Sequence, residues 1–158
     1  MKKLLIAFVC AIATLGASAQ ESHGKLTVNA GFLFPSTLNA TMGYEHSFGY
    51  GSAVELFGEI GDHWKSVEGQ FWKGYYWDGG LLYKHRLARY KNGCFRFRVG
   101  PEFGAVERKF FVGVEAGFEY NYVFQNGWEF ALIQKNNINF VHGDTFRNGL
   151  LLGLKIPF

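Results

Sequence analysis

The sequence predicts an all-β chain: an eight-stranded antiparallel up-and-down transmembrane β-barrel with a charged, side-chain-filled lumen. Three observations carry that expectation. Apolar and polar residues alternate with period two in one segment after another, and no sustained 3.6-residue apolar period follows Ala19. Aromatic residues make up 18% of the chain and glycine fills 21 of its 158 positions, whereas proline fills three. The minor face of most segments is charged rather than merely polar, and its acids and bases balance.

Met1 to Ala19 has the organisation of a cleavable export signal, with Lys2 and Lys3, the apolar run Leu4 to Leu15, and the small-residue site Ala17-Ser18-Ala19. That run is shorter than the roughly 17 to 25 residues a spanning helix needs. The expected division is therefore a cleaved signal over residues 1–19 and one outer-membrane barrel domain over residues 20–158, beginning at Gln20. Cys10 follows Phe8-Val9 rather than a small-residue lipobox, so no lipoprotein is expected. Cys94 is then the single exported thiol, which excludes an internal disulfide and a Cys-rich metal framework. Loss of Lys2 and Lys3 takes the formal charge from +3 to about +1. No basic tail or stripe remains for direct nucleic-acid binding.

The segments follow in order. In Lys25 to Phe34, Leu26, Val28, Ala30, Phe32 and Phe34 alternate with Lys25, Thr27, Asn29 and Gly31, and "PSTLN" turns the chain. Ala40 to Phe48 sets Ala40, Met42, Tyr44 and Phe48 against Thr41, Gly43, Glu45 and Ser47. After "GYGS", Val54, Leu56 and Ile60 oppose Glu55, Phe57 and Glu59, and "DHWKSVEGQFWK" reads as a loop or a protruding strand end. The fourth segment runs to about Arg86, with Tyr75, Trp77, Leu81 and Tyr83 opposite Asp78, Gly80, Lys84 and Arg86; "LARYKNG" is its turn. The fifth places Phe95, Phe97, Val99, Pro101 and Phe103 against Arg96, Arg98, Gly100, Glu102 and Gly104. The sixth places Val112, Val114, Ala116, Phe118, Tyr120, Tyr122 and Phe124 against Gly113, Glu115, Gly117, Glu119 and Asn121. "QNG" is a tight-turn signal, because Asn-Gly accepts positive φ at little cost. The seventh, Trp128 to about Phe140, loses its alternation in the second half. The eighth is "RNGLLLGLKIPF", Arg147 to Phe158.

Which face points outward decides between a soluble and a membrane barrel. The major face is aliphatic in mid-strand and aromatic towards the ends, as a lipid-facing band with aromatic girdles requires. The minor face then lines the lumen, with acids Glu45, Glu55, Glu59, Asp78, Glu102, Glu115, Glu119 and Glu129 and bases Lys25, Lys84, Arg86, Arg96, Arg98, Lys135, Arg147 and Lys155. Eight meet eight. Charges in a narrow interior must pair to offset desolvation, and an eight-stranded barrel has room only for side chains. A closed ion-pair network rather than a pore is expected. With an even strand number, "GYGS", "LARYKNG" and "QNG" are periplasmic turns. The outer loops fall near Ser36 to Asn39, Asp62 to Gln70, Val106 to Lys109 and Asn136 to Thr145.

Motifs for catalysis are thin. Small outer-membrane barrels resembling lipid A deacylases carry a His-x-Ser pair on a late strand with an acidic partner. The nearest match is His142-Gly143-Asp144, with an acid where serine should stand. Asp62-His63-Trp64 with Ser66 holds the right residue types, but adjacent loop residues seldom converge. His23, His46, His63, His85 and His142 lack ligand spacing, and no Gly-rich loop leads into a helix. No catalytic residue, metal or cofactor is expected.

In the closing strand, Leu150, Leu152, Leu154, Ile156 and Phe158 are expected to face lipid, and Leu154, Ile156 and Phe158 resemble the C-terminal signal read by barrel-assembly machinery. Deleting Phe158 is expected to impair insertion. From "YYWDGGLLYKHRLARYKNGCFRFRVGPEFGAVE" through "FVGVEAGFEYNYVFQNGWEFALIQKNN" to "HGDTFRNGLLLGLKIPF", the chain resembles the TraO family of conjugal transfer proteins from conjugative transposons of Bacteroidetes. Gly79-Gly80, Arg89 to Gly93, Glu119 to Tyr122, Asp144 and Phe146-Arg147 carry the likeness. It implies a non-enzymatic outer-membrane accessory of a DNA-transfer apparatus. Its partners would be outer-membrane lipid, the assembly machinery and other conjugal transfer proteins. A generic small barrel for envelope stability or surface binding is the alternative reading, and a lipid-modifying enzyme the third.

Overall fold

The computed structural model describes residues 24–48, 51–63, 74–106, 109–141 and 146–158. The expected export signal and Gln20 junction, with Cys10, His23, Trp64, Ser66, His142 and Asp144, lie outside the described residues. Eight strands follow in chain order: β1 (Gly24–Phe34), β2 (Thr37–Ser47), β3 (Ala53–His63), β4 (Tyr75–Tyr90), β5 (Gly93–Val106), β6 (Lys109–Val123), β7 (Glu129–Asn139) and β8 (Phe146–Pro157). Each pairs antiparallel with its sequence neighbour, and β8 pairs with β1 from Lys25↔Pro157 to Phe34↔Asn148. Closure leaves no open edge, the condition for strands to cross a bilayer.

The alternation seen in the sequence is an alternation of burial. Along β2, Thr37, Asn39, Thr41, Gly43 and Glu45 are buried, while Leu38, Ala40, Met42 and Tyr44 are exposed. The other strands keep this inverted order, with charge inside and apolar side chains outside. The lumen also holds apolar filling. Leu33, Ala131, Ile133 and Leu151 form a buried cluster, and Phe57, Tyr76, Leu82 and Phe111 are buried elsewhere along the interior.

Several turns are tighter than expected. Leu87 to Tyr90 belong to β4, not to a turn, and only Lys91-Asn92 link β4 to β5. A register shift between Arg86 and Ala88 absorbs the extra residue and lets the pairing continue. Thr37 to Asn39 lie in β2, Val106 pairs with Lys109, and Asn136 to Asn139 continue β7, so these outer connections shrink. The "QNG" turn is formed as expected: Gly127 has φ +82°, and the Trp128 N–H donates to Asn126 Oδ1 at 3.1 Å.

At the rim where β1 begins and β8 ends, two tyrosines cover two glycines. Tyr44 lies against Gly24, and Tyr120 against Gly93, in positions a side chain on either glycine would contest. Phe158 joins the first pair, its ring centroid 5.7 Å from that of Tyr44 and its N–H donating to the Gly24 carbonyl at 3.3 Å. Ile156 departs from the lipid-facing expectation: it is only 2% exposed. It shares a cross-strand row with Leu26 and Tyr44, and this bulky row beside Phe158 covers it. Tyr44→Ala is expected to lower the denaturation midpoint by the equivalent of about 1 kcal/mol, the scale of an aromatic cross-strand contact.

Candidate functional site in the charged lumen

The lumen charges form a ladder of shared ion pairs. The Lys84 ammonium, from β4, lies 2.7 Å from each of Glu45, Glu55 and Glu119. Lys155, from β8, reaches Glu45 at 2.6 Å and Glu119 at 2.5 Å. Arg96 pairs with Glu45 at 2.7 Å below them. Arg98 pairs with Glu115 at 2.6 Å and with Glu119 at 3.3 Å. Lys135 continues the ladder, bridging Glu115 at 3.0 Å and Glu59. Glu59 then accepts from Tyr76 Oη at 2.8 Å and from Thr41 Oγ1 at 3.1 Å.

Local pattern explains why these groups meet. Residues two apart on one strand face the same side, so Arg96 and Arg98, or Glu115 and Glu119, stack along the interior. Register then delivers the partners: Arg96 pairs across with Glu119, Glu55 with Glu45, and Gly117 with Lys135. Glycines 43 and 113 leave room for side chains of the adjoining strands, Glu55 and Thr27 beside the first and Asn139 and Glu102 beside the second.

Four of the expected lumen charges make no ion pair among the described residues. Arg86 is only half-buried and makes no ion pair among the described residues; beyond it the β4 shift carries the strand out of register, and it lies at the rim. Asp78 and Glu102 point inward and are buried, yet neither is ion-paired: Glu102 accepts from Asn137, and both Asp78 carboxylate oxygens lack a hydrogen-bond partner. Arg147 is buried too, but its guanidinium stacks over Tyr76 at 4.4 Å and lies 5.7 Å from Phe111. The sequence reading did not assign Tyr76 or Phe111 to the lumen; their alternation with Trp77 and Val112 would have placed them there. Asp78 faces Glu59 directly across β3 and β4. Asp78→Asn replaces one of two facing carboxylates with an amide that can donate to Glu59, and is therefore expected to raise the denaturation midpoint by the equivalent of about 1–3 kcal/mol, the scale of satisfying a buried polar group.

Glu45, Glu55 and Glu119 bring carboxylate oxygens within 4.8 Å of one another. Their counter-ions are Lys84, Lys155, Arg96 and Arg98, so side chains already match the charge that would attract a cation. On the outer wall, the blurred half of β7 presents Gln134 and Asn136. Their amides bond to each other at 2.8 Å, and Asn136 also donates to the Ala116 carbonyl at 3.0 Å. Asn148 lies beside Asn136 in the register. Self-pairing of the amides explains how polar residues stand on this wall.

No family model matches the chain, and comparison with curated proteins also finds no match. Among solved structures, the chain is similar to "the outer membrane enzyme PagL", with a TM-score of 0.57 and 12% identity over 85% of this chain and 99% of that one. At that identity the likeness shows a shared fold. Together with the inverted burial, which puts ion pairs inside and Leu56, Ile60, Leu150 and Leu152 outside, it decides the setting. The protein is an outer-membrane β-barrel. Its membrane lipid therefore contacts the aliphatic belt and the girdle side chains Tyr44, Tyr120, Tyr122 and Phe124, all exposed. The rim that carries the turns at 91–92 and 124–128, where β1 begins and β8 ends, is the one expected to face the periplasm.

Proposed function

We propose that this barrel is a non-catalytic envelope protein that serves as a fixed anchor, and that its working place is as an accessory of a conjugative transfer apparatus. The ion-pair ladder carries the first part. It fills the interior from Arg96 to Glu59 with mutually neutralised side chains, which supports a plug rather than a conduit. On the outer wall, Gln134, Asn136 and Asn148 are amides that offer neither a nucleophile nor a general base, and the serine–histidine contact there, Ser52 Oγ 3.4 Å from His85 Nδ1, has Tyr83 rather than a carboxylate beside it among the described residues. The transfer role rests on the TraO resemblance of the sequence.

Two measurements test the two parts separately. Reconstituted in planar bilayers, the protein is expected to give no discrete single-channel steps, and lipid A from strains with and without it is expected to have the same mass profile. Channel steps or a changed acyl pattern would overturn the anchor reading. Deleting the gene is expected to reduce conjugation frequency, with recovery on complementation. An unchanged frequency would remove the transfer role and leave an envelope-stabilising or surface-binding barrel.

A further inference from the structure

The periplasmic mouth of the barrel holds a cavity of about 460 Å³ whose lining includes Lys25, Arg86, Arg89, Lys91 and Arg96 against one acid, Glu129. Glu129 is already taken by Lys25 at 2.7 Å, and Arg96 is engaged with Glu45 inside the lumen. Arg86, Arg89 and Lys91 have no carboxylate partner among the described residues. Their convergence is imposed by the backbone. Arg86 keeps its place opposite Arg96, its guanidinium across Gly51 and 2.6 Å from where a β-carbon would stand, and the shift just beyond it sets Arg89 opposite Cys94. Lys91 occupies the Lys91-Asn92 turn with φ 44°, a left-handed conformation that glycine or asparagine adopts at lower cost. A charged residue is thus held where a cheaper one would make the same turn. Like charges gathered in a concave, low-dielectric mouth focus a positive field and attract anions.

We propose that this vestibule binds a carboxylate-rich peptide presented from the periplasm. The lining includes the lumen-facing Lys25, Arg96 and Glu129 together with the turn residues Lys91 and Asn92, so its occupant is taken from water at the rim rather than from lipid. Its volume falls in the range of small-ligand sites, roughly 300–1,000 Å³. Two guanidinium groups offer paired donors matched to carboxylates, and Asn92, Gln125 and Ser47 add neutral hydrogen-bonding groups. Peptide carboxylates reach this compartment from two sources, the stem peptides of the cell wall and acidic segments of periplasmic proteins. The inference gives the anchor its attachment and rests on that reading, but the two fail separately, because binding is measured on the isolated barrel.

The test uses the full exported chain in detergent micelles, with a fluorescent Glu-rich octapeptide and with purified muropeptides as probes. At least one probe is expected to bind, with affinity falling as salt rises. Arg86→Ala and Arg89→Ala are each expected to weaken binding about tenfold, the scale of one charge-assisted bond. Arg86→Lys should recover only part, and Lys109→Ala, at the opposite rim, should change nothing. Heat-modifiable gel migration verifies that each variant is folded. Preference for the muropeptide assigns the cell wall as the source, and preference for the octapeptide assigns a protein. No binding of either probe at low salt, binding that Arg86→Ala leaves intact, or equal competition by inorganic phosphate would overturn the proposal.

Discussion

Lys84→Met is expected to destabilise the folded barrel by about 3–5 kcal/mol, the cost of breaking a buried charge group by removing one partner. The ammonium is shared at 2.7 Å by three carboxylates from β2, β3 and β6. Without it, Glu55 keeps the Thr27 hydroxyl as a donor and Arg98 at 4.0 Å as its remaining cation, while Glu45 and Glu119 must divide Lys155, Arg96 and Arg98. The measurement is the urea midpoint of refolded protein in lipid vesicles, read by the shift in gel migration of the unheated sample. Combining Lys84→Met with Glu55→Gln is expected to recover part of the loss, because the second change removes the least supported carboxylate. An unchanged midpoint for the single variant would mean that the lumen charges are hydrated rather than mutually held.

Leu152→Arg carries the second large effect, about 2–4 kcal/mol if the position lies near the bilayer midplane. Leu152 is 57% exposed and sits between Ala30 and Leu132 on the outer wall, among apolar neighbours in mid-strand. In a soluble protein an arginine at such an exposed site would cost almost nothing. Leu152→Phe, which keeps the surface apolar, is expected to stay within about 0.5 kcal/mol of the parent. The contrast between these two variants reports the solvent on that wall. Equal stabilities would contradict a lipid contact.

Strand number, pairing order and the inward face were legible in the sequence because one physical rule, alternation between two differently solvated faces, governs every segment. Phe57 among acids and Gly80 beside Asp78 did not disturb the reading of β3 and β4. What failed was detail that alternation does not encode. Arg86 follows the same parity as Lys84 in the sequence, and nothing there reveals that β4 slips by a residue just beyond it. Asp78 and Arg147 have the right parity for the lumen, but their partners depend on which strand ends stand level once the barrel closes. Tyr76 takes the place that an acid would fill beside Arg147. Ile156 keeps the expected direction and loses its exposure to neighbouring rings, an effect of packing between strands 110 or more positions apart in the chain: Tyr44 on β2 and Phe158 after β8. The end of β7 looked irregular because Gln134 and Asn136 satisfy each other, which a period-two pattern cannot express.

Lys155 has a consequence for how the molecule is made. It is carried on the final strand, yet its ammonium is needed by Glu45 on the second and Glu119 on the sixth. A sheet of seven strands would hold those carboxylates with one cation too few and would have to stay wet to tolerate them. Arrival of β8 supplies the missing charge and the missing wall together. The interior thus dries in one step at the end of assembly, and a barrel that stops short of its last strand remains a charged, water-filled trough that the bilayer resists.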